Sequence, residues 1–227
     1  MIIDFRAHIM PGMDKACKNR IDTVRRLMAA KSADVDLIVA APVYDPDEYT
    51  VDEFLDMRDQ SEDILASLLS RELPDVVVGT TVVYRDSLLS EYDIVRLGFA
   101  GSCFILSVRD VPYSGTVEAV LHRLSATLGM RVVLCDAGEG FLQHSDRLKK
   151  LGVSVVVGLD SLEHRKQINA LMPYIDNGLI RAIGSDWESD RPYKYLRKVE
   201  SRLGDNFDRI MNRTARLLGA EDFAAAK

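Results

Sequence analysis

Four polar residues near the start of the chain are the first candidates for chemistry: Arg6, His8, Asp14 and Lys15, which follow the apolar run Ile2-Ile3-Asp4-Phe5. Farther on, Asp136 directly follows Arg131-Val132-Val133-Leu134-Cys135, and Asp186 and Glu188 follow Ile180-Arg181-Ala182-Ile183-Gly184. His8, Asp136, Asp186 and Glu188 amount to one imidazole and three carboxylates, a donor set for at most one divalent ion: Mn, Mg or Zn, with the carboxylates favouring the harder ions. Arg6, Lys15 and Arg109 form the complementary set, cations suited to phosphate oxygens, the arginines by bidentate contacts. In a hydrolytic reading Arg6 clamps the transition state and Asp186 joins the chemistry, so these two are the candidate catalytic residues. Polar residues after strands are common in α/β proteins, so spacing alone favours a structural role for all of them.

The elements that must position these groups are legible from periodicity. Apolar, β-branched runs bounded by turn signals predict strands at residues 1–4, 36–41, 76–83, 103–108, 131–135, 154–157 and 180–184, about seven in all. Between and after them, apolar residues three and four apart predict helices at 21–30, 51–69, 86–96, 117–128, 141–151, 162–174, 193–203 and 207–218. Thr50 to Glu53 and Asp160 to Glu163 carry capping-box spacing, and Pro192 suits a first helical turn. Alternating strands and helices imply right-handed crossovers and a parallel sheet. Each predicted strand ends in polar groups: Arg6 and His8, Tyr44 and Asp45, Thr80 and Thr81, Ser107 and Arg109, Asp136 and Glu139, Asp160, then Ser185, Asp186 and Glu188. A closed barrel gathers all of these at one mouth, so the expected architecture is an α/β fold, a distorted seven-stranded (β/α)7 TIM-like barrel. Residues 1–220 form one domain in this reading, and the Ala-rich tail 221–227 frays.

Composition narrows the partners. With 227 residues and a net charge of -6, the chain can bury a full core but does not segregate the Lys and Arg that a nucleic-acid surface needs. Cys17, Cys103 and Cys135 lack the spacing of a structural zinc site and are read as reduced, buried thiols. No nucleophilic role is expected of them, because a cysteine phosphatase needs an Arg-bearing phosphate loop around a low-pKa thiolate. No apolar run reaches membrane-span length and no leader pattern opens the chain, so the expectation is a cytoplasmic protein with no direct membrane insertion. The number of subunits is left open.

Ile3-Asp4-Phe5-Arg6-Ala7-His8-Ile9-Met10-Pro11-Gly12-Met13-Asp14 resembles the opening motif of the bacterial PHP-type (polymerase and histidinol phosphatase) protein tyrosine phosphatases of capsular and exopolysaccharide biosynthesis. The resemblance runs along almost the whole chain, through Ala41-Pro42-Val43-Tyr44, Gly79-Thr80-Thr81-Val82, Gly101-Ser102-Cys103-Phe104-Ile105-Leu106, Cys135-Asp136-Ala137 and Gly184-Ser185-Asp186-Trp187-Glu188, to Arg191-Pro192-Tyr193 and the segment around Asn212. It implies a distorted seven-stranded barrel, a cluster of divalent metals and phosphotyrosine hydrolysis. As partner it implies a tyrosine-phosphorylated membrane kinase of polysaccharide export.

The departures from the motif are specific. Arg6 stands where the first His of the family's metal-binding pair belongs, Lys15 where an acidic ligand belongs unless Asp14 replaces it by a one-residue shift, and Val43, Thr81, Val108 and Asp136 at further ligand positions. Loss of metals would leave Asp136, Asp186 and Glu188 as uncompensated anions, and buried charge without a partner is costly. The expectation is an Arg6/Lys15/Asp186/Glu188 ion network in place of the metal cluster, with hydrolysis lost or very weak. Two alternatives stand beside it: a phosphomonoesterase with one metal on His8, Asp136, Asp186 and Glu188, and a module that binds phosphotyrosine or another anion through Arg6, Lys15 and Arg109 without cleaving it.

Overall fold

The computed structural model describes residues 1–185 and 193–219. The chain opens with β1 (Ile3–Ala7), α1 (Arg20–Ser32), β2 (Leu37–Ala40), β3 (Val43–Tyr44), α2 (Val51–Ala66), β4 (Asp75–Val78) and β5 (Thr81–Val83). It continues through β6 (Cys103–Ser107), α3 (Gly115–His122), β7 (Arg131–Cys135), α4 (Glu139–Leu142), α5 (Ser145–Lys150) and β8 (Ser154–Gly158). It closes with α6 (Arg165–Asp176), β9 (Ile180–Gly184), α7 (Leu196–Leu203) and α8 (Asp205–Leu218).

Every pairing between named strands is parallel, in two sheets ordered β1-β2-β4 and β3-β5-β6-β7-β8-β9. The predicted strand at 36–41 forms as β2 and resumes beyond its predicted end as the short β3, and the predicted strand at 76–83 is divided between β4 and β5. Pro42, which has no N–H to donate, separates β2 from β3, and Gly79-Thr80 separates β4 from β5, where a Cβ at 79 would crowd the Phe99 ring at 3.0 Å. The broken halves stay in line: Gly79 N donates to Ala40 O at 2.7 Å and Thr81 N to Pro42 O at 2.9 Å. Strand residues such as Phe5, Ile38, Phe104, Val133 and Ile180 are fully or almost fully buried, as expected of parallel strands covered on both faces.

The first and last strands approach each other as closely as backbone allows. A Cβ on Gly184 would sit 2.8 Å from Arg6 Cβ and 3.1 Å from Arg6 N and O, so only glycine fits. Just beyond β9, Ser185 N donates to Asp4 Oδ1 at 2.8 Å. α8 covers this region from outside, where Thr214 Oγ1 donates to Arg181 O at 2.8 Å.

The helices depart from prediction in instructive places. Residues 86–96 form two short 3-10 turns, Asp86–Leu89 and Asp93–Leu97, and not one helix. The stretch 117–128 ends in a π turn, and 141–151 is split between α4 and α5. The Thr50–Glu53 capping box forms, with Glu53 N bound to Thr50 Oγ1 and Thr50 N bound to Glu53 Oε2. Asp160 instead opens a 3-10 turn, Asp160–Leu162, in which its carboxylate accepts from Ser161 N, and α6 starts later, at Arg165. Pro192 and the tail lie outside the described residues. Among the described residues, no helix is long and apolar enough to cross a membrane.

Candidate functional site

Polar side chains do gather at the C-terminal ends of the strands. Arg6, near the end of β1, places Nη1 3.2 Å from Oδ1 of Asp136, the residue after β7. Asp136 has φ +59°, the left-handed region that Asp tolerates better than most residues, and this turns its carboxylate back over the mouth. Ser107, at the end of β6, donates to Asp136 Oδ2 at 2.8 Å, and Arg109 Nη2 lies 3.5 Å from Oδ1. Burial alone would raise the Asp136 carboxyl, but the Arg6 charge, the Ser107 hydroxyl and Arg109 outweigh it and hold the group below the ordinary carboxylate value.

Two recesses adjoin this knot. One, of about 380 Å³, is lined by Arg6, Arg109, Asp136, Gly158, Asp160, Ser161 and Ser185 among others. The second, of about 250 Å³, is lined by Arg6, Val43, Thr81, Val83, Ser107, Arg109, Asp110 and Asp136. Two of the departures noted in the sequence, Val43 and Thr81, therefore face the mouth, whereas Val108 is buried in the core.

Two further groups complete the arrangement. His8 is 2 % exposed, and its Nδ1 lies 3.0 Å from Asp14 Oδ1, while Asp14 Oδ2 accepts from Met10 N at 2.7 Å. Asp14, and not Lys15, is thus the residue turned toward His8; Lys15 is exposed. Asp4 is buried and accepts from Arg6 N, Ser185 N and the Tyr193 hydroxyl, the last at 2.7 Å. Burial, followed by the Asp4 charge, raises the Tyr193 phenol well above its ordinary value.

The expected network is accordingly redrawn. Arg6 pairs with Asp136 among the described residues, and the expected partners Asp186 and Glu188 lie outside them. Asp14 and Ser107 join the site through His8 and Asp136, contacts that residue type alone does not reveal. The signal for Ser107 was its place at a strand end, and that for Asp14 was the one-residue ambiguity with Lys15. Among the described residues, no three His, Cys, Asp or Glu side chains converge as metal ligands would.

The cysteines supply no nucleophile. Cys103 and Arg109 do have Cys-x5-Arg spacing, but Cys103 begins β6 and Arg109 lies past its opposite end, so they share no phosphate loop. Burial pushes the Cys103 and Cys135 thiols up to about 12 and that of Cys17 to about 11. His144 stacks on Tyr113 with ring centroids 4.0 Å apart, and like His164 it is exposed.

Neither a protein-family model nor a curated protein sequence matches the chain. Solved structures do. The structures of YwqE from Bacillus subtilis and CpsB from Streptococcus pneumoniae, unique metal-dependent tyrosine phosphatases, align over 96 % of this chain and 95 % of theirs, with a TM-score of 0.75 and 16 % identity. The chain shares the fold of these two proteins. A more distant similarity, with a TM-score of 0.60 and 12 % identity over 97 % of this chain and 80 % of the other, links that fold to the inactive dihydroorotase-like domain of a Chaetomium thermophilum CAD-like multifunctional protein. At 16 % identity the likeness to the phosphatase fold fixes the architecture, and activity has to be argued from the side chains.

Proposed function

We propose that this chain is a divergent PHP-type, tyrosine phosphatase-like protein in which an ion pair has replaced the metal cluster and hydrolysis is lost or very weak. The Arg6–Asp136 pair carries the reading. In the family that the sequence resembles, both positions hold metal-binding histidines; here they hold the two halves of one salt bridge. A cluster of divalent ions works by activating water and neutralising phosphoryl oxygens. A guanidinium at one ligand position repels those cations, and the Asp136 oxygens already accept from Arg6, Ser107 and Arg109.

The donor set fits a multinuclear centre poorly and a single ion only in part. His8 suits one, since Asp14 on Nδ1 orients the ring in the way carboxylates orient ligating histidines. That observation supports a second reading, a phosphomonoesterase with one Mn, Mg or Zn on His8, Asp136, Asp186 and Glu188. Asp136 would first have to leave Arg6, which makes this the weaker of the two. When bound, such an ion would polarise a water; Arg6 and Arg109 would hold the phosphoryl oxygens.

The same reading closes the two sheets into one seven-stranded barrel across Gly184 and Arg6. It also places the chain in the cytoplasm, beside a tyrosine-phosphorylated membrane kinase of polysaccharide export. Metal analysis of the purified protein, together with hydrolysis of a phosphotyrosine peptide in added Mn, tests it. Substoichiometric metal and no turnover above the blank are expected. Stoichiometric metal with turnover would overturn the first reading in favour of the second.

A further inference from the structure

We infer that α1 and α2 form an interface for a second copy of this chain, each α1 packing on α2 of its partner about a twofold axis that runs along the helices. The inference is independent of whether the mouth holds metal. α1 links β1 to β2 and α2 precedes β4, so the two helices lie side by side outside the β1-β2-β4 sheet.

Apolar surface marks the patch. Thr23, Leu27 and Ala30 bury one face of α1 against the barrel. Ile21, Val24 and Met28, three and four apart, form a second line along the same helix, at 70 %, 37 % and 53 % exposure. A helix that served its own barrel alone would carry polar residues on that side. Next to it, a groove of about 300 Å³ is lined by Met13, Tyr49, Met57 and Ile64 among others. Apolar side chains gathered on neighbouring elements make a contact surface, where single exposed ones would not.

Charge decides the occupant. The exposed side of α1 carries Arg20, Arg25 and Lys31, and that of α2 carries Asp56, Asp59 and Asp63. An anionic membrane would be repelled by α2, and a partner of one sign would meet its like on one helix or the other. A second copy offers both signs, as an isologous interface must.

Charge also decides the arrangement. A twofold axis across the helices would set α1 on α1 and α2 on α2, like against like; an axis along them sets α1 on α2. Arg25 and Asp56 each lie five residues past the start of their helices, Arg20 and Val51, so this axis brings them level, with Lys31 close to the height of Asp63. Arg25 is suited to the exchange: its side chain is 74 % exposed and its contact with Asp22 is long, at 3.4 Å.

Sedimentation velocity of the full chain in low salt tests the inference. A monomer–dimer equilibrium with a Kd in the micromolar range is expected. Met28→Asp should leave a monomer whose circular dichroism spectrum is that of the wild type. Arg25→Glu should weaken the dimer about tenfold, and adding Asp56→Arg should recover most of that loss, because each reversed charge then meets a reversed partner. A monomer at every concentration up to about 100 μM, a dimer indifferent to Met28→Asp, or a double variant that dimerises no better than Arg25→Glu alone would each overturn the inference. A chain that stays monomeric and binds phosphatidylglycerol vesicles through α1 would overturn it in favour of a lipid surface.

Discussion

Arg6 Nη1 and Asp136 Oδ1 stand 3.2 Å apart with both side chains largely buried, at 12 % and 18 % exposure. A partly buried pair of this kind contributes little relative to an apolar pair, but each half is costly alone. Arg6→Met should therefore lower unfolding stability by about 1–3 kcal/mol, read from urea denaturation. Adding Asp136→Asn, which removes the unpaired charge and tolerates the positive φ at this position, should restore at least about 1 kcal/mol of that loss. A double variant as unstable as the sum of its singles would mean that the pair does not act as a unit.

The depressed Asp136 carboxyl fixes the sign of a pH effect. A group whose folded-state pKa lies below its unfolded value stabilises the fold above the unfolded value and loses that contribution as pH falls through the folded one. The stability gap between wild type and Asp136→Asn should stay level from pH 7 to 5 and shrink below about pH 4. A gap that widens on acidification would contradict the assignment.

Asp4 offers a second measurable contact. Tyr193→Phe removes one of its donors and should cost about 1–2 kcal/mol, seen as a lower thermal midpoint. Because the folded Tyr193 pKa is raised, its stabilising contribution holds below the unfolded value near 10 and is lost as pH rises further. The thermal midpoints of wild type and Tyr193→Phe should converge above about pH 10.

Burial of all three thiols predicts slow chemistry. Ellman's reagent at pH 8 should leave Cys17, Cys103 and Cys135 unmodified in the native protein and react with all three in denaturant. Rapid native reaction of any one would show an opening that the fold does not contain.

Much of the architecture was legible because parallel strands covered on both faces print as unbroken apolar runs, such as Ile180 to Ile183 with Arg181 as its exposed exception. The interruptions were less visible. Pro42 and Gly79 are both plain in the sequence, but only pairing shows that the halves on either side belong to different sheets. The turns at Asp86–Leu89 and Asp93–Leu97 have helical spacing in apolar residues yet are too short to propagate an α-helix. At the site, residue type identified Arg6, His8, Asp136 and Arg109. It could not say which carboxylate each cation meets, because that depends on the positive φ at Asp136 and on tertiary approach across 130 positions of sequence.

The glycine at 184 bears on how the molecule is made as well as how it is held. Its contact with Arg6 joins the two ends of the strand series, so chain entropy opposes that junction more than any pairing of neighbouring strands. The junction belongs late in folding, after the intervening βα units have brought both ends within reach. It is also the natural place for the native state to open first, and amide exchange at Ser185 should run ahead of exchange along β6 and β7.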